Sequence, residues 1–279
     1  MVKVSFITFT KNSAHRLKGL LENVKDVVDE IIVIDGHSTD ETVSIAKSYG
    51  AKIYQRKPWG YPDPDRMFAL RQASYDWILM LDDDERLCNR LKNNLKEIIE
   101  KCSMKKFVAI DLPRINLSRN GRIILAPYFP DRVLKIFRKD CVVFTGRVHD
   151  GPKVFGRTYH LSSEYYLIHL PYHENNWLKK AIKYAYYQSI QYSSIIGGNI
   201  FRQALLRLLP LTTIPYYLYL MSALVKRNIP INFLSLKYCF RRALYDSILQ
   251  TLMVLRSDKR KKLAEEISKN GFSQFLGIE

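Results

Sequence analysis

Four acids, Asp82-Asp83-Asp84-Glu85, follow the apolar run Trp77-Ile78-Leu79-Met80-Leu81 without a break. Carboxylates packed this closely repel one another unless water or a cation lies among them. Hard divalent cations take oxygen ligands and bridge one or two carboxylates to substrate phosphates, so the string is a candidate metal and diphosphate site. Asp82 and Asp84, two apart, point the same way if the chain stays extended there; a β-turn would part them. The plain alternative is a solvated acidic turn that caps the next helix. A second group is Asp35-Gly36-His37-Ser38-Thr39-Asp40. A carboxylate after a strand can accept hydrogen bonds from a ribose or a base N–H, while Ser38 and Glu41 have the spacing of a helix capping box. A third group, Gly146-Arg147-Val148-His149-Asp150-Gly151, gathers a base, an imidazole and an acid, with His160, His169 and His173 downstream.

These groups need elements to hold them. Residues 2–9 read as a strand, followed by a helix whose apolar stripe is Leu17, Leu20, Leu21, Val24, Val27 and Val28. Ile31–Ile34 is a second short buried strand, a helix to about Tyr49 is stopped by Gly50, and Ala51–Gln55 is a third strand. This strand-helix alternation is the doubly wound pattern, in which ligands lie beyond the carboxyl ends of the strands. A helix over about 65–74 leads into the strand before the acids, which is too short for a helix and uniformly apolar. Leu91, Leu95, Ile98, Ile99 and Cys102 mark another helix. From Lys106 to about Leu170 the pattern turns to short β-like runs, 107–110, 123–125, 133–137, 142–144 and 165–168, separated by Asn120-Gly121, Thr145-Gly146 and Gly151-Pro152. Beyond Pro171 the chain reads helical, giving two regions, 1–175 and 176–279.

Charge divides the chain in the same place. The net charge is +17, and residues 174–262 hold 15 Lys and Arg against three acids. Such a surplus predicts an anionic partner. Leu208–Val225 is 18 residues without a charge, at the lower limit for a span, yet it contains Pro210, Pro215, two threonines and three tyrosines. An interfacial or re-entrant helix pair is expected there. Phe233–Leu255 is a second apolar and basic amphipathic stretch. An anionic membrane surface, at the cytoplasmic face of the cell membrane and held peripherally or monotopically, is the expected partner of this region. Cys88, Cys102, Cys141 and Cys239 form no C-x-x-C pair, which argues against a zinc site or disulfide framework. The opening residues enter a strand directly, so no signal peptide is expected.

The strings Ser5-Phe-Ile-Thr-Phe-Thr10-Lys-Asn12, Asp29-Glu-Ile-Ile-Val-Ile-Asp35-Gly-His-Ser38-Thr-Asp40-Glu-Thr42 and Asp76-Trp-Ile-Leu-Met-Leu-Asp82-Asp-Asp84-Glu85 together resemble family-2 glycosyltransferases of the GT-A fold. The nearest likeness is to the subgroup that includes lipopolysaccharide-core glucosyltransferases. The resemblance, which covers roughly residues 3–190, implies an α/β fold, a Rossmann-like mixed sheet flanked by helices; residues 176–279 are read from their own charge and apolar pattern as a helical, membrane-associating extension. It implies that Thr10, Asn12, Asp35 and Ser38 line the nucleotide pocket and that Arg66 faces the donor. Asp82, Asp83 and Asp84 match the D-x-D region; Asp84 is the direct metal ligand, with Asp82 and His169 as further ligands. His149 and Asp150 match a V-H-E string with Asp in place of Glu, and Asp150 is the expected general base, with His149 as the alternative. Two departures stand out: Ser13 replaces a family Glu, and Asp83 replaces an alanine. The implied activity is inverting transfer of a hexose from a nucleotide sugar, a UDP-sugar first, to a lipid-linked or glycan acceptor, with Mg²⁺ or Mn²⁺ neutralising the leaving diphosphate.

No G-x-G-x-x-G and no Walker A run is present, which excludes the common dinucleotide and P-loop signatures. A sugar-phosphate nucleotidyltransferase also places metal-bound Asp on an α/β sheet, but Thr10-Lys-Asn-Ser-Ala14 lacks its glycines. A non-catalytic basic protein binding membrane or nucleic acid is the third reading. Nucleic acid is not expected, because the positive charge lies on amphipathic helices rather than on a sheet face.

Overall fold

The computed structural model describes residues 2–57, 59, 61–127, 129–147, 150–170, 177–193, 209–254, 261–262 and 264–265. The chain forms two compact units, Met1–Ile123 with Pro130–Pro171, and Ile124–Phe129 with Tyr172–Glu279.

The first unit is built on a mixed sheet. Its strands are β1 (Val4–Thr10), β2 (Glu30–Asp35), β3 (Lys52–Gln55), β4 (Trp77–Met80), β5 (Glu85–Leu87), β6 (Phe107–Asn116), β7 (Asp131–Arg138), β10 (Arg157–His160) and β11 (Leu167–His169); β8 (Val142–Val143) and β9 (Lys153–Val154) form a separate ribbon. The sheet order is β3-β2-β1-β4-β7-β6-β11-β5, with β10 also paired to β6. β1 to β4 run parallel, and β7 lies antiparallel between β4 and β6.

The period of two in the central strands sets the layers. Val4, Phe6, Trp77 and Leu79 pack on one face against α1 (Ala14–Val24), α2 (Thr42–Ser48) and α4 (Asn89–Met104), through Leu17, Leu20, Ala46, Leu91 and Leu95. Ile7, Ile32, Ile78 and Met80 pack on the other face against Ala69 and Leu70 of α3 (Arg66–Gln72). Burying both faces leaves the carboxyl ends of β1, β2 and β4 as the places where polar side chains gather.

Several local expectations are corrected. The first helix ends at Val24, so Val27 and Val28 pack on the core from beyond it. Ser38 does not cap α2. That helix starts after Glu41, and the Ser38 hydroxyl is occupied elsewhere. The acids do not cap α4 either. The Cys88 thiol accepts from the Leu91 amide instead, at 3.4 Å. Residues 123–125 form only an isolated bridge at Ile123.

The second unit holds α5 (Trp177–Ser193), α6 (Leu209–Lys226) and α7 (Phe233–Val254). α7 is shared: Leu244, Ile248 and Leu252 pack on Ile182 and Ala185 of α5, while Cys239 and Ala243 pack on Leu220 and Leu224 of α6. The expected helix pair over 208–225 is one continuous helix. Pro210 lies in its first turn, where the missing N–H has no intrahelical partner to lose, and Pro215 removes a single bond. Among the described residues no helix is long and apolar enough to cross a membrane.

Candidate active site

The buried strand β4 ends at Met80, and after the buried Leu81 the acids begin. A turn closes over them, with the Glu85 amide donating to the Asp82 carbonyl at 3.0 Å. The turn parts Asp82 from Asp84, since alternation along an extended strand no longer applies. Each acid therefore has its own surroundings.

Asp82 accepts from Lys135 Nζ at 2.7 Å and lies 3.7 Å from Arg66 Nη2. Burial pushes its carboxyl up, but Lys135 and Arg66 more than offset this and hold it well below the ordinary carboxylate range. Asp83 turns to Arg16 Nη2, 3.0 Å away. Its carboxyl is raised, because burial outweighs the attraction of Arg16. Asp84 faces His169 Nε2 at 3.5 Å. Glu85 is fully buried, 2.7 Å from Lys135 Nζ and 3.2 Å from Arg114 Nη1, and it also accepts from the Asp82 amide at 3.0 Å.

His169 is supported from behind. Its Nδ1 lies 2.8 Å from Asn116 Oδ1, a pure acceptor, so Nδ1 carries a proton and Nε2 is the nitrogen turned to Asp84. The strands explain the pairing. β11 runs parallel to β6, setting His169 opposite Asn116, and antiparallel to β5, setting it opposite Glu85. The Leu170 amide also donates to the Asp84 carbonyl at 2.8 Å, fixing the two segments side by side.

Asp84 and His169 could offer one oxygen and one nitrogen to a divalent cation such as Mn²⁺ or Mg²⁺, whose remaining positions would need other oxygen ligands. Among the described residues no group of three or more His, Cys, Asp and Glu side chains is set to hold a metal ion.

The ends of β1 and β2 form the neighbouring wall. Thr10 pairs with Asp35 in register, and the Thr10 hydroxyl is buried without a hydrogen-bond partner. Such an orphaned hydroxyl is rare in a folded chain and suits a polar ligand. Asp35 is fully buried and accepts from the Ser38 amide at 2.9 Å and from the Ser38 hydroxyl. Ser38 in turn accepts from the Asn12 amide at 2.8 Å, and Asn12 Oδ1 accepts from the Thr39 amide at 2.8 Å. Asn12 and His37 both adopt left-handed backbone conformations, with φ of 48° and 56°. Asn12, Asp35 and Ser38 are thus brought together, and they lock the loop after β1 to the loop after β2.

Arg66 begins α3 and connects the two remaining parts. It donates to Asp63 at 3.1 Å and sits over the rings of Phe9 and Phe144 at 5.2 and 5.5 Å. Burial works against its charge, but Asp82, Asp63 and Glu85 raise its pKa above the ordinary arginine value. Phe144 opens the segment leading to Asp150, whose carboxylate accepts from the Thr145 hydroxyl. Gly146, with φ of 73°, lies close to Pro64, beside the turn before α3. His149 lies outside the described residues.

Lys135, Arg114, Arg16 and Asn116 were not singled out from the sequence. Lys135 had a signal: it is the one charge inside Val133-Leu134-Lys135-Ile136-Phe137. A lysine in a buried strand needs a carboxylate partner.

The model of the family Glycosyl transferase family 2 matches residues 5–104. An uncharacterized glycosyltransferase of Rickettsia felis is 33% identical over 175 residues, which are 60% of this chain and 60% of that relative. A lipopolysaccharide core biosynthesis glycosyltransferase of Rhizobium meliloti is 36% identical over 74 residues, 25% of this chain and 27% of that one. The solved structure of S. aureus TarS 1-349 in complex with UDP-GlcNAc is 17% identical, with 94% of this chain and 92% of that chain covered and a TM-score of 0.49. The chain spans about 60% of the length of the Rickettsia felis relative. The matched segment runs from β1 through the acids to the end of α4, and over this segment the chain is similar to glycosyl transferase family 2.

Proposed function

We propose that this chain is a glycosyltransferase that moves a hexose from a nucleotide sugar, a UDP-sugar first, to a lipid-linked or glycan acceptor with inversion at the sugar. The observation that carries the reading is Asp84 facing an Nε2 of His169 whose other nitrogen is held by Asn116, at the carboxyl end of β4. Asp84 and His169 would hold Mg²⁺ or Mn²⁺ against the donor diphosphate, and the metal would neutralise the charge that develops on the leaving group. Thr10 would donate or accept at the nucleotide with its unpartnered hydroxyl. Asp35, Asn12 and Ser38 would hold the loops that shape the nucleoside pocket. Arg66 and Lys135 add positive charge beside the acids, which keeps the region from repelling a diphosphate. Asp150 would take the proton from the acceptor hydroxyl as general base, a role worth about 10²–10⁴ in rate.

The test is nucleoside-diphosphate release from UDP-, GDP- and dTDP-sugars, with a mixture of glycan and lipid-linked acceptors and with Mn²⁺ or Mg²⁺. Release from one donor that stops with EDTA and falls strongly in Asp84→Asn would support the reading and name the sugar. Release that persists unchanged in EDTA would remove the metal from it.

A further inference from the structure

We infer that the second unit carries a docking face for an anionic lipid bilayer, formed by the outer stripe of α6 and the turn into α7. α6 buries Leu220 and Leu224 completely against α7. A helix that only packed on a neighbour would be polar on the rest of its circumference. Here Ile214, Leu218 and Val225 form a second stripe, at spacings of four and seven residues, and they are 61, 58 and 61% exposed. At 100° per residue these three lie within about 40° of one another, well away from the buried pair. Past the helix end Ile231 and Phe233 are also exposed, the latter 76%, and Phe240 is exposed on the same side of α7 as Phe233. The Phe240 ring meets Tyr217 of α6 edge-on, with centroids 6.4 Å apart, so the two helices present this surface together.

Scattered exposed apolar residues need no partner, but a continuous stripe of large ones does. Charge selects the occupant. The helices α5, α6 and α7 hold seven Lys and Arg against one acid, Asp246, which is itself paired to Arg242 at 2.9 Å. A second copy of the chain would bring like charge onto like charge. A leaflet of anionic lipids accepts both an exposed apolar stripe and helices with this excess of positive charge. Tyr219, the exposed tyrosine of α6, has the amphipathic ring that settles at headgroup depth. The helix would lie in the interface, its stripe reaching about 5–10 Å in. This inference does not depend on the chain being a transferase.

The full chain would be floated with vesicles of phosphatidylcholine alone and of phosphatidylcholine enriched in phosphatidylglycerol. Binding to the anionic vesicles, weakened by salt, and a drop of about tenfold in Leu218→Glu are expected. Circular dichroism would first check that the variant keeps its helices. Leu218→Trp gives an independent reading: its emission should shift to the blue with anionic vesicles, beyond any shift of the native tryptophans. The inference fails if the native chain stays with the soluble fraction. It also fails if Leu218→Glu binds as the native chain does, if Leu218→Trp reports water throughout, or if Leu218→Glu changes the oligomeric mass in solution and not the flotation.

Discussion

Asn116 decides which nitrogen of His169 faces Asp84. Removing it frees the imidazole to change tautomer and to rotate, the kind of outer partner whose loss weakens metal binding about 10–100-fold. Asn116→Ala should therefore raise the Mn²⁺ concentration needed for half-maximal nucleotide binding by that factor, read by titration, while leaving the melting temperature close to native. Lys135 is the opposite case, a residue whose first effect is on stability. It serves two acids at once, Asp82 and the fully buried Glu85. Lys135→Met should lower stability by about 3 kcal/mol in urea unfolding, because it takes one of two cations from a buried acid. Adding Glu85→Gln should recover part of that loss, since the two residues share one network. Neither Asn116 nor Lys135 can be read as a site residue from the acidic string alone. Lys135 is 53 positions from Asp82 and reaches it only because β7 pairs with β4. Asp84 was singled out from its position after an apolar strand and His169 from the family pattern, and the strand pairings set the two side chains face to face.

At the level of elements, the first three strands are tied by one carboxylate. Glu30, at the start of β2, accepts from the Ser5 hydroxyl on β1 at 2.6 Å, from Lys52 on β3 at 2.6 Å, and from the amide and hydroxyl of Ser74 before β4. Burial pushes its carboxyl up, but Lys52, Ser5 and Ser74 prevail and bring it from 4.5 to about 2. Because the folded value is the lower one, the stabilisation is complete above pH 4.5 and is lost as the pH falls toward 2. With Lys52 in solvent, screening cuts this to about 1–2 kcal/mol. Glu30→Gln should show that loss in urea unfolding at neutral pH and a flatter decline than the native chain below pH 4.5. The strands and helices up to α4 follow from apolar spacing because each is a local signal. What spacing does not give is the competition for a side chain. Ser38 and Glu41 stand at capping distance, yet Ser38 serves Asp35 and Asn12, and the helix begins later. The short strand β5 was also hidden, since Glu85–Leu87 is defined by its pairing to β11 and not by any run of its own.

Taken whole, the chain separates its chemistry from its surplus of positive charge. The acids and their cations lie in the unit built on the sheet, while the helices of the other unit hold the exposed apolar stripe. The uneven charge was visible in the sequence, because composition needs no contacts. The order of the strands after β4 was not, because β6, β7, β10 and β11 find their neighbours through pairings far apart in the chain. Sharing of a divalent cation between Asp84, His169 and a nucleoside diphosphate at the end of β4 is the core of the proposed function. It is tested most directly by calorimetric titration of UDP into the native chain with Mn²⁺, into the same chain with EDTA, and into Asp84→Asn with Mn²⁺. Binding that is present with Mn²⁺, lost with EDTA and weakened at least about tenfold in Asp84→Asn is the expected result. UDP binding that is equally tight in all three samples, or absent from all three while GDP and dTDP also fail to bind, would contradict it.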